Sequence, residues 1–292
     1  MSSSDKAVLT PVLSSSFSPF TSKHLVQEIL ALFRRLTLQA YRRSSFLIAG
    51  LLQPLLWLVL FGALFQKLTL PIFPDKTIYY DDFLSSGIIV FTAFTSSLNA
   101  GLPIMFDREF GFFNRLLVVP MTSRLSIVIA SFCYIVSVTV VQVSTIWIIA
   151  SAKDQIRLAI DPNAFFYCTL MLLLLICLVT VFSIVLSFIL SGHIELLALI
   201  LFINLPILFS STALAPLAFM PTWLQLIATI NPLTYAIEAL RYTVAFNEFI
   251  IDQKIISTAL GQLSLGEVLV YFFILNCLMI LAANYFFHRK LE

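Results

Sequence analysis

Residues 164–190, AFFYCTLMLLLLICLVTVFSIVLSFIL, contain no charged side chain and decide the class of this protein. A helix rises about 1.5 Å per residue, so roughly 20 apolar residues cross the ~30 Å hydrocarbon core of a bilayer. The whole chain agrees, because 60% of its residues are hydrophobic and only 11% are charged, against about a quarter in soluble proteins. The sequence therefore predicts an all-α integral membrane protein.

Other apolar segments of span length lie on both sides of this one. We predict six spans, the fifth being bent or broken near its middle because it contains Asn204 and Pro206. Polar side chains within spans are expected to face other helices or a cavity; these are Gln53, Asn99, Gln142, Asn204, Asn276 and Asn284. The predicted spans are Phe46–Phe65, Phe83–Met105, Leu125–Ala150, Ala164–Leu190, Leu196 to about Leu214, and Val268–Phe287.

Basic residues are distributed unevenly between the loops. If both termini are in the cytoplasm, eleven of the 17 Lys and Arg residues lie on the cytoplasmic side of the membrane. Cytoplasmic loops carry such an excess of positive charge. Both termini are therefore predicted to be cytoplasmic. The spans contain no internal Asp, Glu, Lys or Arg, so the ion sites and proton relays of gradient-driven carriers are not apparent.

The chain before the first span has two parts. Residues 1–22 are Ser-rich, and we expect a disordered tail that is not a signal peptide. Residues 23–43 are expected to form an amphipathic helix in the cytoplasmic membrane interface, the alternative being a helix packed on a partner. Residues 44–292 then form the six-span domain. The apolar stripe of the predicted helix at residues 23–43 consists of Leu25, Ile29, Leu32, Phe33, Leu36 and Ala40. The flanking basic residues, which suit anionic headgroups, are Arg34, Arg35, Arg42 and Arg43.

Residues 107–124, DREFGFFNRLLVVPMTSR, form a charged stretch between the second and third predicted spans, called the loop segment below. The charges at residues 107–109 interrupt the preceding apolar run, and Pro120 closes the segment before the third span. A short helix is therefore expected between these charges and Pro120. Gly111 is the weak point of that helix. Two interpretations remain open from the residues alone. The loop segment could dock a soluble partner, or it could be a positive-inside topology signal whose apolar side chains rest on the bilayer.

The stretch after the fifth span is apolar but interrupted by Pro216, Pro221 and Pro232. Each proline removes a backbone donor and disfavours helix in the preceding residue, which excludes a continuous span. Two short re-entrant helices between spans five and six are predicted instead. Glu238 and Arg241 lie three residues apart and can pair near the membrane edge; a surface ion pair without a special role is the alternative.

Catalytic motifs are missing from the sequence. It contains no G-x-x-x-x-G-K-[ST] phosphate loop and no G-x-S-x-G elbow. The three histidines are far apart in the predicted topology, and all four cysteines lie in predicted spans. We expect no catalytic residues, no metal site and no cofactor in this chain.

Two separated motifs resemble type 2 ABC exporter permeases, the ABC-2 type transmembrane subunits of the drug-resistance and polysaccharide-export class. The first is REFGFFNRLLVVPMTSR at residues 108–124, and the second is PLAFMPTWLQLIATINPLTYAIEALR at residues 216–241. The resemblance covers about residues 22–290 and has a cyanobacterial or plastid-like character. In the second motif the matching positions are Pro221, Trp223, Asn231, Pro232, Tyr235, Glu238 and Arg241.

The resemblance implies the permease subunit of an ATP-driven exporter that moves its substrate out of the cytoplasm by alternating access. The absence of charge from the predicted spans suggests that this substrate is amphipathic or lipid-like. The resemblance further implies two copies of an ABC ATPase partner that carry the ATP and Mg, a second copy of this chain or a similar permease, and contact with membrane lipids but not nucleic acid. The expected location is the inner (plasma) membrane, or a plastid membrane if the source is an alga. The alternatives are a non-transport membrane scaffold that recruits a cytoplasmic protein and a gradient-driven carrier.

The resemblance also implies roles for individual residues. A coupling helix would dock on the ATPase, with Glu109 and Arg115 as polar contacts and the turn at residues 191–195 as a secondary contact. The first and fifth spans would line the substrate pathway through Gln53, Pro54, Asn204 and Pro206. The implied coupling residues are Asp107, Arg108, Glu109, Phe110, Gly111, Phe113, Asn114, Arg115, Leu116 and Leu117.

Overall fold

The computed structural model of the protein describes residues 22–42, 44–73, 76–118, 125–152, 161–246, 254–258 and 261–291. The predicted tail, apart from Ser22, lies outside these residues, as does the end of the loop segment at 119–124. The helices are α1 Ser22–Arg42, α2 Ser44–Leu64, α3 Tyr80–Leu98, α4 Gly101–Glu109, α5 Phe112–Val118, α6 Leu125–Ala152, α7 Pro162–Ile189, α8 His193–Phe209, α9 Thr222–Ile230, α10 Pro232–Phe246 and α11 Leu265–Leu291.

Among the described residues, five stretches are long and apolar enough to cross a membrane, which confirms an all-α membrane protein. Each coincides with a predicted span. The remaining predicted span corresponds to α8, whose 17 residues reach only about 25 Å at 1.5 Å per residue. The five stretches are Leu47–Leu64, Tyr80–Glu109, Ser126–Ser151, Pro162–Ile189 and Leu265–Phe286.

The fifth predicted span, expected to be bent or broken near its middle, is not broken at Asn204 or Pro206. Helix α8 continues through Asn204 and Pro206 and ends at Phe209. Pro206 lies in the last turn of α8, where its missing N–H costs one hydrogen bond close to the end of the helix. The chain turns only after that, where Ser211 N–H donates to Leu208 O at 3.1 Å.

The second span, predicted as continuous, is interrupted at Asn99 and Ala100 between α3 and α4. Pro103 explains this in part, since it has no N–H to donate to the carbonyl of Asn99 four residues earlier. Ser183 of α7 supports the break, because its hydroxyl donates to the carbonyl of Leu98 and accepts the N–H of Gly101 at 2.9 Å. A Cβ added at Gly101 would lie 2.4 Å from Ser183 O, so α4 packs backbone to backbone on α7.

Helix α3 lies at the centre of the bundle and packs against α2, α6, α7 and α10. Every residue of α3 except Asp81 and Asp82 is buried inside the protein. This explains its buried hydroxyls, which bond to carbonyls or to other side chains of the bundle, as Thr92 Oγ1 does to Ile88 O at 2.7 Å. A helix surrounded by protein can carry such side chains because lipid does not contact them.

In the part of the chain that the structure describes, two short antiparallel hairpins lie between helices, and the sequence did not predict them. Strands β1 Thr69–Phe73 and β2 Lys76–Tyr79 pair between α2 and α3. Strands β3 Lys254–Thr258 and β4 Gly261–Ser264 pair between α10 and α11. They add only two-stranded ribbons to a helical bundle.

Candidate functional site

Asp107 begins a run of three charged residues at the end of α4, each of which binds a different part of the chain. Its carboxylate forms an ion pair with Arg35 of α1. The guanidinium of Arg35 also lies 3.9 Å from the centre of the Phe112 ring at the start of α5. Arg35 is one of the arginines expected to suit anionic headgroups, and in the structure it also binds the acid on α4 and the ring on α5.

Arg108 is the second residue of the run and binds the end of α7. Its Nη1 donates to Ser187 O and, at 3.3 Å, to Leu190 O. The guanidinium lies 5.7 Å from the ring centre of Phe188. The last carbonyls of a helix have no partner within the helix, and a cation there is favoured by the helix dipole. Arg108 therefore fixes α4 to α7.

Glu109, the third residue, binds the start of α8. Its Oε2 accepts the backbone N–H of His193 at 3.1 Å and contacts His193 Nδ1 at 2.5 Å. A carboxylate at a helix N-terminus satisfies a free N–H and is favoured by the dipole. Arg115 differs, because its side chain is exposed. Of the two predicted polar contacts, Glu109 is therefore engaged within the chain and Arg115 is presented outward.

The predicted single helix across the loop segment is wrong. Helix α4 ends at Glu109 and α5 begins at Phe112. Gly111 between them has φ +75°, the left-handed region in which a helix cannot continue and Gly is favoured. A Cβ at Gly111 would meet nothing within 4 Å, so the constraint is on the backbone angle rather than on space.

The apolar side chains of the loop segment divide between the inside and the outside. Phe113 is buried, with its ring centre 5.7 Å from that of Phe188. Leu116 is half-buried, whereas Phe110 is 69% exposed and Val118 is 85% exposed. Asn114 and Leu117 belong to α5, but their side chains lie outside what the structure describes. The loop segment thus keeps an exposed apolar surface beside Arg115.

The turn at residues 191–195 lies directly beside this segment. Within the turn, Glu195 Oε2 accepts the hydroxyl of Ser191 at 2.7 Å and its N–H at 3.2 Å. His193 connects the turn to α4 through Glu109 and through its ring, whose centre lies 5.2 Å from that of Phe106. The turn at residues 191–195 and the end of α4 are therefore in direct contact.

A cavity of about 300 Å³ lies between α1, α2, α3, α4, α6 and α8. Phe106, the residue before the charged run, lines this cavity. Its ring stacks on that of Phe110, with 6.0 Å between the ring centres. None of the described residues that line this cavity is charged. Its polar residues include Gln53, Thr95, Ser96, Asn99, Gln142 and Asn204.

The cavity brings together two of the four predicted pathway residues. Gln53 and Asn204 line it, but Pro54 is buried elsewhere and Pro206 is exposed. Sequence reasoning had placed Asn99 and Gln142 against a helix or cavity, whereas it missed Thr95. The available signal was the four-residue spacing of Thr95 and Asn99, which puts both on one face of a helix.

The two polar residues predicted for the last span behave differently from each other. Asn276 is buried and donates to Leu174 O of α7 at 3.0 Å. Asn284 is exposed in the single chain. The expectation of an inward-facing side chain is therefore met at Asn276 and not at Asn284.

Asn231 organises the second motif, between α9 and α10. Its Oδ1 accepts the N–H of Leu233 at 2.9 Å, which caps α10, and its Nδ2 donates to Ile207 O at the end of α8, also at 2.9 Å. Pro232 occupies the first position of α10, where a missing N–H costs nothing. Tyr235 donates to Thr229 O at 2.6 Å. The motif therefore fixes α8, α9 and α10 to one another.

Arg241 is only 2% exposed and pairs with Glu238. Its Nη2 donates to Thr212 O at 2.8 Å, and its guanidinium lies 3.6 Å from the centre of the Phe83 ring. The alternative of a surface ion pair is thus wrong. Elsewhere in the motif, Trp223 is 64% exposed on α9 and Pro221 precedes α9 as its N-terminal cap.

These features define the chain as a multi-span helical membrane protein whose loop segment presents an exposed surface at one end of the bundle. The sequence model of the ABC-2 type transporter family matches residues 27–245. The chain therefore belongs to that family, as its motifs predicted. It is a transport permease subunit, is not itself an ATPase, and associates with an ABC ATPase subunit.

Similar proteins each carry the name "Putative transport permease ycf38". The one from Porphyra purpurea is 49% identical over 266 residues, which cover 91% of this chain and 90% of that protein. The one from Pyropia yezoensis is 48% identical over 262 residues, covering 90% and 89%. The one from Cyanophora paradoxa is 44% identical over 264 residues, covering 89% and 88%.

Proposed function

We propose that this chain is the permease subunit of an ATP-driven exporter and that its loop segment receives the movement of the ATPase. The observation that carries the proposal is the run Asp107, Arg108 and Glu109, which binds α1, α7 and α8 respectively. A push on the loop segment would act on three helices together. Bundles of packed helices respond to such a push by rigid tilting rather than by continuous deformation.

The exposed surface beside this run supports an external partner. Phe110, just before Gly111 in the chain, and Arg115, four residues after it, are both exposed. We propose that both contact the ATPase, while Glu109 holds the turn at residues 191–195 in place. The push then reaches the cavity through Phe106, which belongs to both regions. The substrate is amphipathic or lipid-like, since the cavity lining is neutral.

The arrangement in the membrane follows from the same proposal. Helix α8 is the fifth of six spans, and α9 and α10 enter and leave the outer leaflet as re-entrant helices. Both termini and the loop segment are cytoplasmic, and α1 lies at the membrane interface. In α1 the apolar stripe faces the protein in part, because Leu36 is buried against Tyr134 and Ile135 of α6. The membrane is a plasma or plastid membrane.

Two copies of this chain, or this chain and a similar permease, would bind two ATPase subunits. The test is to co-express the chain with candidate ABC ATPases and to measure partner recovery and ATP hydrolysis in proteoliposomes. Arg115→Ala should reduce partner recovery, and Glu109→Gln should leave the partner bound but weaken the stimulation of its hydrolysis by cargo. Lys67→Ala removes another exposed cation, in the turn after α2. It is the matched control and should behave as wild type.

Three results would contradict the proposal. The absence of any stable ATPase partner would refute ATP-driven export. A bound partner whose hydrolysis is indifferent to cargo, lipid and both substitutions would indicate a scaffold. Transport driven by a proton gradient without ATP would indicate a carrier.

A further inference from the structure

We infer that the outward face of α1 binds an anionic phospholipid of the cytoplasmic leaflet through Arg34 and Arg42. The inference rests on the placement of α1 at the membrane interface in the proposed function, and it adds the partner of that helix. It is carried by the orientation of α1 against the bundle, by the charges on its outward face and by the level of that face relative to the spans.

Helix α1 is oriented so that its predicted apolar stripe packs towards the protein. Leu36 is buried against Tyr134 and Ile135 of α6. Glu28 accepts the hydroxyl of Ser126, also on α6, at 3.1 Å. A different set of residues is therefore left facing outward. The other members of the stripe are all half-buried: Leu25, Ile29, Leu32, Phe33 and Ala40.

The outward face of α1 combines two cations with apolar side chains. Leu38, Tyr41 and Arg42 follow Arg34 by four, seven and eight residues, which are the spacings of a single helix face. All four side chains are exposed, that of Tyr41 to 81%. Tyr is enriched at membrane–water interfaces, because its ring prefers an apolar surrounding and its hydroxyl a wet one.

The charge of this face is positive and is not compensated within the described part of the chain. Arg34 and Arg42 form no ion pair there. Arg35 differs from them, because it pairs with Asp107. The one acidic residue in the sequence of α1 is Glu28, which is bonded to α6. A negatively charged partner would therefore reach both guanidiniums without competition from a carboxylate of α1.

The level of this face favours a lipid over a soluble protein. Leu36 shares a buried cluster with Ala100, which lies 20 residues after Tyr80 at the start of α3. Twenty helical residues rise about 30 Å, the thickness of the hydrocarbon core. Arg42 lies five residues before Leu47, where the first stretch of span length begins. Both parts of the face thus lie near one boundary of the hydrocarbon, where Arg can form bidentate bonds to lipid phosphates.

The test uses the full-length protein in phosphatidylcholine nanodiscs without ATP or ATPase. Trace amounts of two photoactivatable lipids with identical acyl chains are compared, a phosphatidylglycerol and a phosphatidylcholine, each with its reactive group near the glycerol. We expect the phosphatidylglycerol to label peptides of α1 at least about fivefold more, the effect of one cation near the surface. This preference should fall when the ionic strength is raised from about 0.1 M to about 1 M, because the Debye length shortens to about 3 Å.

Variants of the two arginines identify the site. Arg34→Gln with Arg42→Gln should remove most of the preference on α1. Arg34→Lys with Arg42→Lys should keep most of it, because the charges remain, and this variant shows whether substitution at these positions disturbs the helix. Lys67→Gln, which removes an exposed cation in the turn after α2, is the matched control and should keep the full preference.

Equal labelling of α1 by the two lipids, or a preference that survives the double glutamine variant, would overturn the inference. Displacement of the label by inorganic phosphate, compared with chloride at the same ionic strength, would overturn it in favour of a free anion. Loss of the label when a co-expressed ABC ATPase is bound would assign the face to that protein instead. A chain that shows the preference but binds no ABC ATPase would keep this inference and refute the proposed function. ATP-dependent coupling without the preference would do the reverse.

Discussion

The backbone N–H of His193, the first residue of α8, donates to Oε2 of Glu109, the last residue of α4, at 3.1 Å. The imidazole of the same histidine also contacts that oxygen and packs beside Phe106. One residue pair therefore joins the loop segment, the turn between α7 and α8, and the wall of the cavity. We therefore expect a movement of any one of these parts to shift the others.

The first prediction concerns the coupling between these two side chains. Glu109→Gln removes the charge, whereas His193→Phe keeps an aromatic ring beside Phe106 and removes Nδ1. We expect cargo-stimulated ATP hydrolysis to fall about three- to tenfold with Glu109→Gln and less with His193→Phe, because the backbone N–H remains. The double variant should be no worse than Glu109→Gln alone, since both changes break the same contact.

Hydrolysis by the co-purified ATPase in proteoliposomes measures this effect. Glu195→Gln is the control, because its carboxylate bonds only within its own turn in the described structure and should change hydrolysis by less than about twofold. Strictly additive losses in the double variant would show that Glu109 and His193 act separately.

The second prediction concerns the turn between α4 and α5. Gly111 has φ +75°, which costs an Ala about 1 kcal/mol and an Asn less, because Asn tolerates the left-handed region. Gly111→Ala should therefore lower the thermal stability of the purified protein more than Gly111→Asn. Equal stability of both variants, measured by the loss of monodisperse protein on heating in detergent, would show that the turn is not held at this angle.

The positions of the spans could be predicted from hydropathy, because the length and composition of an apolar run determine whether it crosses a bilayer. The interruption of the second span could not. Pro103 is visible in the sequence, but the hydroxyl that supports the break belongs to Ser183, 82 positions from Gly101. The split at Gly111 was visible only as a weak point, since a sequence does not report the sign of φ.

Only part of the candidate site could be predicted from the sequence. The charges of the loop segment marked it as unusual, yet their partners Arg35 and His193 come from distant helices. The burial of Arg241 could not be read from its spacing to Glu238, because three-residue spacing is the same for an exposed pair and a buried one. Long-range packing decides both features, and a single sequence does not contain it explicitly.

The third prediction concerns the contact between α4 and α7. Gly101→Ala would place a Cβ 2.4 Å from Ser183 O, so one of the two backbones must move. We expect a marked loss of stability, about 1–3 kcal/mol as for overpacked cores, and weaker coupling. Gly192→Ala is the control, because the nearest atom to its Cβ, Glu109 Oε2, lies at 4.0 Å. A stable and fully coupled Gly101→Ala variant would contradict the close packing of α4 on α7.

The fourth prediction concerns the buried pair of Arg241 and Glu238. Arg241→Met leaves Glu238, whose side chain is 12% exposed, without its cation, and an uncompensated buried charge costs about 3–5 kcal/mol. We expect strongly reduced thermal stability in detergent. The double variant Arg241→Met with Glu238→Gln should recover much of it, since the buried charge is then gone.

Arg241 also donates to Thr212 O and covers the ring of Phe83, so the double variant should not recover completely. Lys67→Met, which replaces an exposed cation by the same residue, controls for the loss of a positive charge and should change stability by less than about 0.5 kcal/mol. A double variant as unstable as Arg241→Met would show that the contacts of Arg241 with α3 and the turn after α8, rather than its pairing with Glu238, hold α10 in place.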